Sequence, residues 1–254
     1  MALLLKAKSL GAASVDARLT RVIKNVTIAG QPGSRAAAPD EVVTAGNSVR
    51  TAVDSRAELS FADRSVARLG AKSVLRLDAR GWVLEEGAVL VQAPRGTSAT
   101  LRTGTISVEA GGATGIVERY GATYAKIMLL EGTARVYIPT RVGESMLLKP
   151  GRMLILKPDA TSLPEPVDFE IGQLYRTSLL IGRDFARLAS QPQIAAEIQK
   201  QRADPSLIPT NLVIYGRGTM VNLADPSKVR GKANAPTSPT PAPSPQRASS
   251  PPRR

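Results

Sequence analysis

The chain has 254 residues, of which 43% are apolar, so it is long enough for one sizeable folded domain or two small ones. It contains neither cysteine nor histidine, which excludes disulfide bonds, zinc–thiolate sites and mechanisms that need a thiolate or an imidazole from this chain. The net charge of +13 is concentrated in part at one end, because residues 225–254 hold six basic residues and one acidic residue. With only 4% aromatic residues, the chain is a poor match to proteins that stack nucleic-acid bases.

Residues 1–16 contain the apolar stretch ALLL, followed by Lys6 and Lys8 and then by the small-residue patch GAAS. A secretory signal has an apolar segment of about 7–15 residues after a positively charged start, and ALLL is shorter than that. The patch GAAS nevertheless resembles the approach to a signal-peptide cleavage site. We expect residues 1–16 to be a frayed N-terminal arm or the remnant of a signal peptide. No run of 18 apolar residues occurs in the sequence, so no transmembrane helix is predicted.

Residues 17–160 consist of short segments in which apolar and polar residues alternate, separated by turn residues at intervals of roughly 8 to 15 residues. No amphipathic helical pattern interrupts these segments, which argues against β-α-β units. The pattern predicts an all-β domain of short antiparallel strands over residues 17–160. The expected inward-facing residues are Leu59, Phe61, Val66, Val74 or Leu75, Leu77, Val89, Val91, Ile106, Val108, Ala134, Val136 and Ile138.

A phrase of the form Leu-x-x-Gly occurs three times, at 84–87, 129–132 and 148–151. The second and fourth residues after each glycine are apolar; they are Val89 and Val91, Ala134 and Val136, and Met153 and Ile155. Glycine adopts positive φ angles without a Cβ penalty, so we expect three strand–turn–strand corners whose next strands enter the core in a fixed register. Two copies carry Glu before the glycine, which leaves open a catalytic carboxylate if a second acid lies near.

Residues 161–224 are expected to form a helical extension that ends in a strand pair. Apolar residues occur at helical spacing after a possible cap at Asp168, and Gly182 could bend that helix. These apolar residues are Ile171, Leu174, Tyr175, Leu179, Phe185 and Leu188. A second short helix is expected to begin near Pro192 and a final hairpin to cover 211–223. Residues 225–254 are rich in Pro and Ser and basic, which predicts a disordered tail.

Few motifs in the chain are typical of a chemical function. The stretch GGATG at 111–115 lacks the Gly-Lys-Ser/Thr ending of a phosphate loop and precedes a strand-like segment, so we interpret it as a turn or bulge. The GRG at 216–218 is too short to indicate dinucleotide binding. Acidic residues that could serve catalysis are spread over different segments; they are Asp54, Glu58, Asp63, Glu85, Glu86 and Glu131. No catalytic, cofactor-binding or metal-binding residue is predicted, and no cofactor is expected.

Several of these segments, taken in order, resemble the FecR-like domain. They are VRTAVDSRAELSFADRSVARLGAKSVLRL (49–77), LEEGAVLVQAP, LRTGTISVEAGGATGIV and LLEGTARVYI followed by LLKPGRMLIL. The resemblance covers roughly residues 40–157. Two departures stand out, since Arg64 occupies a position where the family commonly has Gly, and Ala113 is inserted between Gly112 and Thr114 where the family has Gly-Thr-x-Phe.

The resemblance implies an extracytoplasmic all-β domain. In name-giving members the domain follows an anti-sigma segment and a transmembrane helix and relays the state of an outer-membrane transporter to a sigma factor. Because the sequence has no apolar run for such a helix, it looks like the stand-alone, exported members. The favoured hypothesis is therefore a non-catalytic envelope module, in the periplasm or on the cell surface, that senses or scaffolds through contacts with another envelope protein or a glycan. The alternatives are a basic nucleic-acid-associated protein and a hydrolase of envelope polymers that uses a carboxylate pair.

Overall fold

The computed structural model describes residues 16–30 and 33–205, together with the backbone of 209–215 and 220–224. The first strands are β1 Ala17–Ile23, β2 Val26–Ala29, β3 Ser34–Ala36, β4 Val42–Val43, β5 Ser48–Thr51, β6 Arg56–Phe61, β7 Val66–Leu69 and β8 Val74–Asp78. Four central strands follow, β9 Gly81–Gln92, β10 Ser98–Thr103, β11 Ile106–Tyr120 and β12 Tyr124–Tyr137. The remaining elements are β13 Ser145–Leu148, β14 Arg152–Leu156, β15 Val167–Phe169, α1 Ile171–Thr177, α2 Gln191–Ala203, β16 Pro209–Tyr215 and β17 Met220–Ala224.

The predicted mainly β class is confirmed, and the pairing in the described chain is antiparallel apart from a short parallel contact between β9 and β10. The expectation of uniformly short strands is wrong for β9, β11 and β12, which are 12, 15 and 14 residues long. Each long strand changes partner along its length. Strand β9 pairs with β8 up to Glu86 and with β11 from Gly87 onwards. The long strands therefore connect parts of the sheet that short strands would have kept separate.

The three Leu-x-x-Gly glycines have the predicted positive φ angles, 87° at Gly87, 78° at Gly132 and 75° at Gly151. Only Gly151 lies at a strand–turn–strand corner, between β13 and β14. The prediction of a corner is wrong for Gly87 and Gly132, because these residues lie inside β9 and β12 where the strands are irregularly paired. A bulge bends a strand without ending it, so the same glycine chemistry produces a bend here rather than a turn.

Two hydrophobic cores lie on opposite faces of the long strands. In β9 the alternation assigns Val89 and Val91 to the first core and Ala88 and Leu90 to the second. Most predicted inward residues are buried in the first core, whereas Val66 and Val74 are half-buried. Ile155 contradicts its prediction, since it is 38% exposed. On β14 its two neighbours along the chain fill the first core instead, because strand residues alternate between faces.

Helix α1 contains the predicted Ile171, Leu174 and Tyr175, but it begins after the predicted cap and ends earlier than expected. Asp168 is not a helix cap; it lies in β15 and its carboxylate pairs with Arg152 at 3.1 Å. Helix α1 stops at Thr177, and the next thirteen residues, 178–190, form a non-helical segment that we call the strap. Helix α2 carries Pro in its first turn, as expected, and the predicted hairpin is confirmed by the β16–β17 pair. No helix in the described part of the chain is long and apolar enough to cross a membrane.

The strap is held on the β-sheet by Arg68 of β7, which is 2% exposed. Its Nη1 and Nη2 atoms donate to the carbonyl oxygens of Leu180 at 3.1 Å and Ala186 at 2.6 Å, and its Nε donates to Glu58 at 2.7 Å. Burial lowers the pKa of Arg68 and the Glu58 carboxylate opposes that shift, but a guanidinium stays protonated in proteins. A second ion pair joins Arg56 to Asp184 of the strap. These contacts fix where α2 begins.

Three of the predictions concern residues outside the described part of the chain. They are the N-terminal arm at 1–16, of which only residue 16 is described, the GRG at 216–218 and the tail at 225–254.

Candidate functional site

Two of the motifs singled out in the sequence meet in space. Thr114 of the GGATG stretch pairs with Glu131 of the second Leu-x-x-Gly phrase, and the register shifts on both sides of Thr114. GGATG is therefore a bulge within β11, as interpreted from the sequence. The two strands approach closely at this point, because a Cβ atom on Gly132 would lie 2.3 Å from the carbonyl oxygen of Gly112. Only glycine at 132 permits that approach together with its positive φ.

The bulge forms one wall of a crevice with a volume of about 890 Å³. The other walls are the turn at 95–97, the corner at 149–150 and one side of α2, which contributes Gln193, Glu197 and Lys200. A smaller recess of about 170 Å³ adjoins it and shares Arg95, Gly112, Glu131 and Gln193 with it. We call this space the Glu131 crevice. It separates the long β-strands from the helix that the strap positions.

Glu131 is 6% exposed, and its Oε1 lies 2.7 Å from the Thr114 hydroxyl. The same hydroxyl lies 2.7 Å from the hydroxyl of Ser190, the residue that precedes α2. Since Thr114 has one proton, Ser190 donates to Thr114 and Thr114 donates to Glu131 when the carboxylate is ionised. These three hydrogen-bonded side chains connect β12, β11 and the residue that precedes α2.

Burial raises the pKa of Glu131. The Thr114 hydrogen bond and the positive charge of Arg95 act in the opposite direction, and the negative charge of Glu197 adds to the effect of burial. Among the described residues, no Lys or Arg nitrogen lies within ion-pair distance of Glu131. A carboxylate removed from water without a cation beside it holds its proton more tightly, and such groups in clefts are candidates for a binding role.

Gln193, in the first turn of α2, lines both the crevice and its recess. Its Oε1 atom is buried and has no hydrogen-bond donor within the described part of the chain. Buried amide oxygens are ordinarily satisfied. The crevice therefore contains two hydrogen-bond acceptors. The Glu131 carboxylate has one donor, the Thr114 hydroxyl, and the Gln193 amide oxygen has none among the described residues.

The other acids considered in the sequence have separate partners, so the structure does not bring them to the crevice. Asp54 pairs with Lys24, Glu58 with Arg68, and Glu85 with Arg76, at 3.6, 2.7 and 3.0 Å. Asp63 accepts from Ser65, and Glu86 accepts from the Gly121 amide. The acid that influences Glu131 is Glu197, which sequence reasoning missed together with Ser190 and Gln193. No local sequence pattern relates these three residues to Glu131, because they lie about sixty residues further along the chain.

Positive and negative charges are nearly balanced in number over residues 16–205, of which the structure describes all but 31 and 32. Residues 16–205 contain 25 Lys and Arg and 20 Asp and Glu, so most of the excess of +13 is carried by other residues. Many of the arginines in this region pair with carboxylates across strands, including Arg76 with Glu85 and Arg102 with Asp78. Within the described residues, no group of three or more acidic side chains could hold a metal ion.

The family model described as FecR protein matches residues 47–135. This stretch, which we call the FecR domain, is similar to that family. It extends from the start of β5 to near the end of β12 and supplies Arg95, Gly112 and Glu131 to the crevice. The residues of α2 and the corner at 149–150 lie beyond the matched range, so the Glu131 crevice lies where the FecR domain meets the rest of the chain.

The structure accommodates both departures of this sequence from the family pattern. Arg64, at a position where the family commonly has Gly, has a φ angle of 66° in the turn between β6 and β7. The turn therefore keeps the left-handed backbone that favours glycine. The inserted Ala113 is fully buried within the β11 bulge, where the pairing with β12 shifts between Gly111 and Thr114.

Two crystal structures of a protein from Parabacteroides distasonis, described as a candidate anti-sigma factor, are similar to this chain. The structure at 1.65 Å resolution has 19% identity and a TM-score of 0.41, with 48% of this chain and 59% of that chain covered. The structure at 2.50 Å has 18% identity and a TM-score of 0.43, with 72% and 87% covered. This chain thus spans less than two thirds of the first of them. No curated protein matches this chain.

Proposed function

We propose that this protein is a non-catalytic FecR-type module that acts outside the cytoplasm of a bacterium, in a sensing, regulatory or scaffolding role. The observation that carries the proposal is the FecR match over residues 47–135, together with a crevice at the edge of that domain. Its partner is another envelope protein or a glycan. In this proposal, residues 1–16 belong to an export signal.

A non-catalytic role agrees with the chemistry of the chain. The chain has no histidine or cysteine, and hydrolysis of a glycan would need a pair of carboxylates about 5–10 Å apart with access to substrate. The candidate acids Glu58, Glu85 and Asp54 are each held by a cation. Glu131 instead accepts from the Thr114 hydroxyl, which is itself bonded to the Ser190 hydroxyl. These arrangements favour binding over hydrolysis.

The compartment is tested by fusing the protein, with its natural upstream codons, to alkaline phosphatase and separately to β-galactosidase. Export predicts activity of the phosphatase fusion and inactivity of the galactosidase fusion, because the first enzyme needs an oxidising compartment and the second a cytoplasmic one. The reverse pattern would contradict the proposal. Cytoplasmic location would favour the nucleic-acid alternative, for which duplex DNA affinity should fall steeply with salt.

The use of the crevice as a contact surface is tested by photo-crosslinking in living cells. A photoreactive amino acid replaces Thr133, which is exposed and lines the crevice. The same amino acid at Val142, which is fully exposed in a turn, is the matched control. We expect a discrete adduct at 133 and none at 142. Equal labelling at both positions would mean that the crevice is not a contact surface.

A further inference from the structure

We propose that the Glu131 crevice binds a primary ammonium group. This binding activity goes beyond the regulatory role proposed above. It does not depend on that role, because it is inferred from the atoms that face the crevice.

Glu131 provides the negative charge of this site. Its Oε1 accepts the Thr114 proton at 2.7 Å, and among the described residues no cation pairs with it. An ionised carboxylate has about four lone-pair positions, so most of its accepting capacity is open to a ligand. The charge of Glu197 on the facing helix makes the surroundings still more favourable to a cation.

Gln193 provides a second acceptor on the opposite wall. Its Oε1 is buried without a donor in the described chain, and it lines the same two spaces as Glu131. A buried acceptor that lacks a donor is unfavourable in the unliganded protein. A ligand that donates to it removes that cost, which is the usual reason why a polar recess selects a donor.

An ammonium group fits these acceptors better than other cations do. It offers three donors and no acceptor, and it interacts as a compact point charge. A guanidinium prefers a carboxylate with both oxygens available for a bidentate pair, but one oxygen of Glu131 is already engaged by Thr114. A divalent metal ion would need more oxygen ligands, and the described residues contain no cluster of three acids.

Arg95 is the internal competitor for this site. It lines the crevice, and its charge lowers the pKa of Glu131, although the two side chains form no ion pair. Lys149 also lines the crevice, whereas the ammonium of Lys200 is already paired with Glu197 at 2.6 Å. An incoming cation is repelled by Arg95, so removing that charge should tighten binding rather than weaken it.

The test is an NMR titration of the ¹⁵N-labelled protein with Nα-acetyl-L-lysine methylamide at pH 8. We expect saturable shifts of the Gly111, Gly112 and Gln193 amides. Glu131→Gln should weaken binding about tenfold or more, and Arg95→Gln should strengthen it. Glutamine keeps the size of Glu131 and removes the charge at either position, and the amide spectrum of each variant reports whether it is folded.

Two further probes make the result decisive. The Nα,Nε-diacetyl derivative lacks the charge and should not bind; equal binding of this neutral probe, or unchanged affinity in Glu131→Gln, would overturn the proposal. Glucosamine carries an ammonium on a rigid ring, and its affinity relative to that of the lysine derivative distinguishes an amino sugar from a lysine side chain as the source of the group. None of these outcomes bears on export, which the fusion experiment decides separately.

Discussion

The guanidinium carbon of Arg68 lies 4.8 Å from the ring centroid of Phe185. Arg68 belongs to a strand of the FecR domain and Phe185 to the strap. A cation over an aromatic ring at this distance is attractive, particularly when both are removed from water. With its hydrogen bonds to two strap carbonyl groups, Arg68 is the main contact that turns a helix-like sequence into a strap.

Arg68→Met should lower the free energy of unfolding by about 3–5 kcal/mol, because it leaves Glu58 without its cation and removes the side-chain donor of two strap carbonyl groups, of which that of Leu180 is buried. Urea unfolding followed by circular dichroism measures this loss. Lys24→Met is the control, since the Lys24 and Asp54 side chains are 60% and 74% exposed and such pairs contribute about 1 kcal/mol or less. Similar losses in both variants would contradict a clamping role for Arg68.

Glu131→Gln should change how stability depends on pH. Burial raises the pKa of Glu131 in the folded chain, so the folded state binds that proton more tightly than the unfolded state does. The wild type should therefore lose stability relative to Glu131→Gln as the pH rises from about 4, which is near the ordinary pKa of glutamate. The difference in stability between the two proteins should stop changing once the pH exceeds the pKa of Glu131 in the folded state. Melting temperatures between pH 4 and pH 8 test this. Glu165→Gln, at an exposed position, should show no such trend, and a wild type that gained relative stability with pH would refute the assignment.

Gly87→Ala should destabilise the protein more than Gly143→Ala, although the two glycines have φ angles of 87° and 89°. Both variants incur a left-handed backbone cost of about 1–2 kcal/mol. At Gly87 the new Cβ would also lie 2.5 Å from the Ser73 Cα, whereas no atom lies within 4 Å at Gly143. We expect an additional loss of about 1–3 kcal/mol at Gly87, measured by urea unfolding. Equal losses would show that the strands relax to accommodate the methyl group.

Lys126→Met should cost about 3–5 kcal/mol of unfolding free energy, since the ammonium of Lys126 pairs with Glu118 at 2.5 Å and both side chains are 1% exposed. The double variant Lys126→Met with Glu118→Leu should recover most of that loss, because a buried ion pair is seldom more stable than an apolar pair of similar size. Thermal unfolding of the wild type and the two variants measures the loss and its recovery. A double variant that is less stable than Lys126→Met would show that the pair stabilises the sheet by more than mutual neutralisation.

The strands were predictable because their signal is local. Alternation alone placed Leu59, Leu77 and Val136 inside, and all three are fully buried. Positive φ angles at Gly87, Gly132 and Gly151 were predictable for the same reason, since only glycine adopts them at little cost. Whether such a glycine ends a strand or bends it depends on the pairing of neighbouring strands, which a local pattern does not contain.

The strap and the crevice were not predictable in the same way. Leu179, Phe185 and Leu188 have helical spacing, but tertiary bonds from Arg68 compete with helix formation in this segment. Glu131 was noticed as an acid, yet its relation to Thr114 depends on a bulge, and its relation to Glu197 depends on where α2 packs. These are consequences of register and docking, neither of which is encoded in short-range spacing.

The contacts of Arg68 with Leu180 and Ala186 span 112 and 118 residues along the chain. Closing a loop of that length carries a larger entropic cost than closing the β6–β7 hairpin, which brings Arg68 beside Glu58. Contacts of high sequence separation also slow folding. The strap should therefore dock after the strands that receive it, and the Glu131 crevice, whose outer wall follows the strap, should be completed in the last stage of folding.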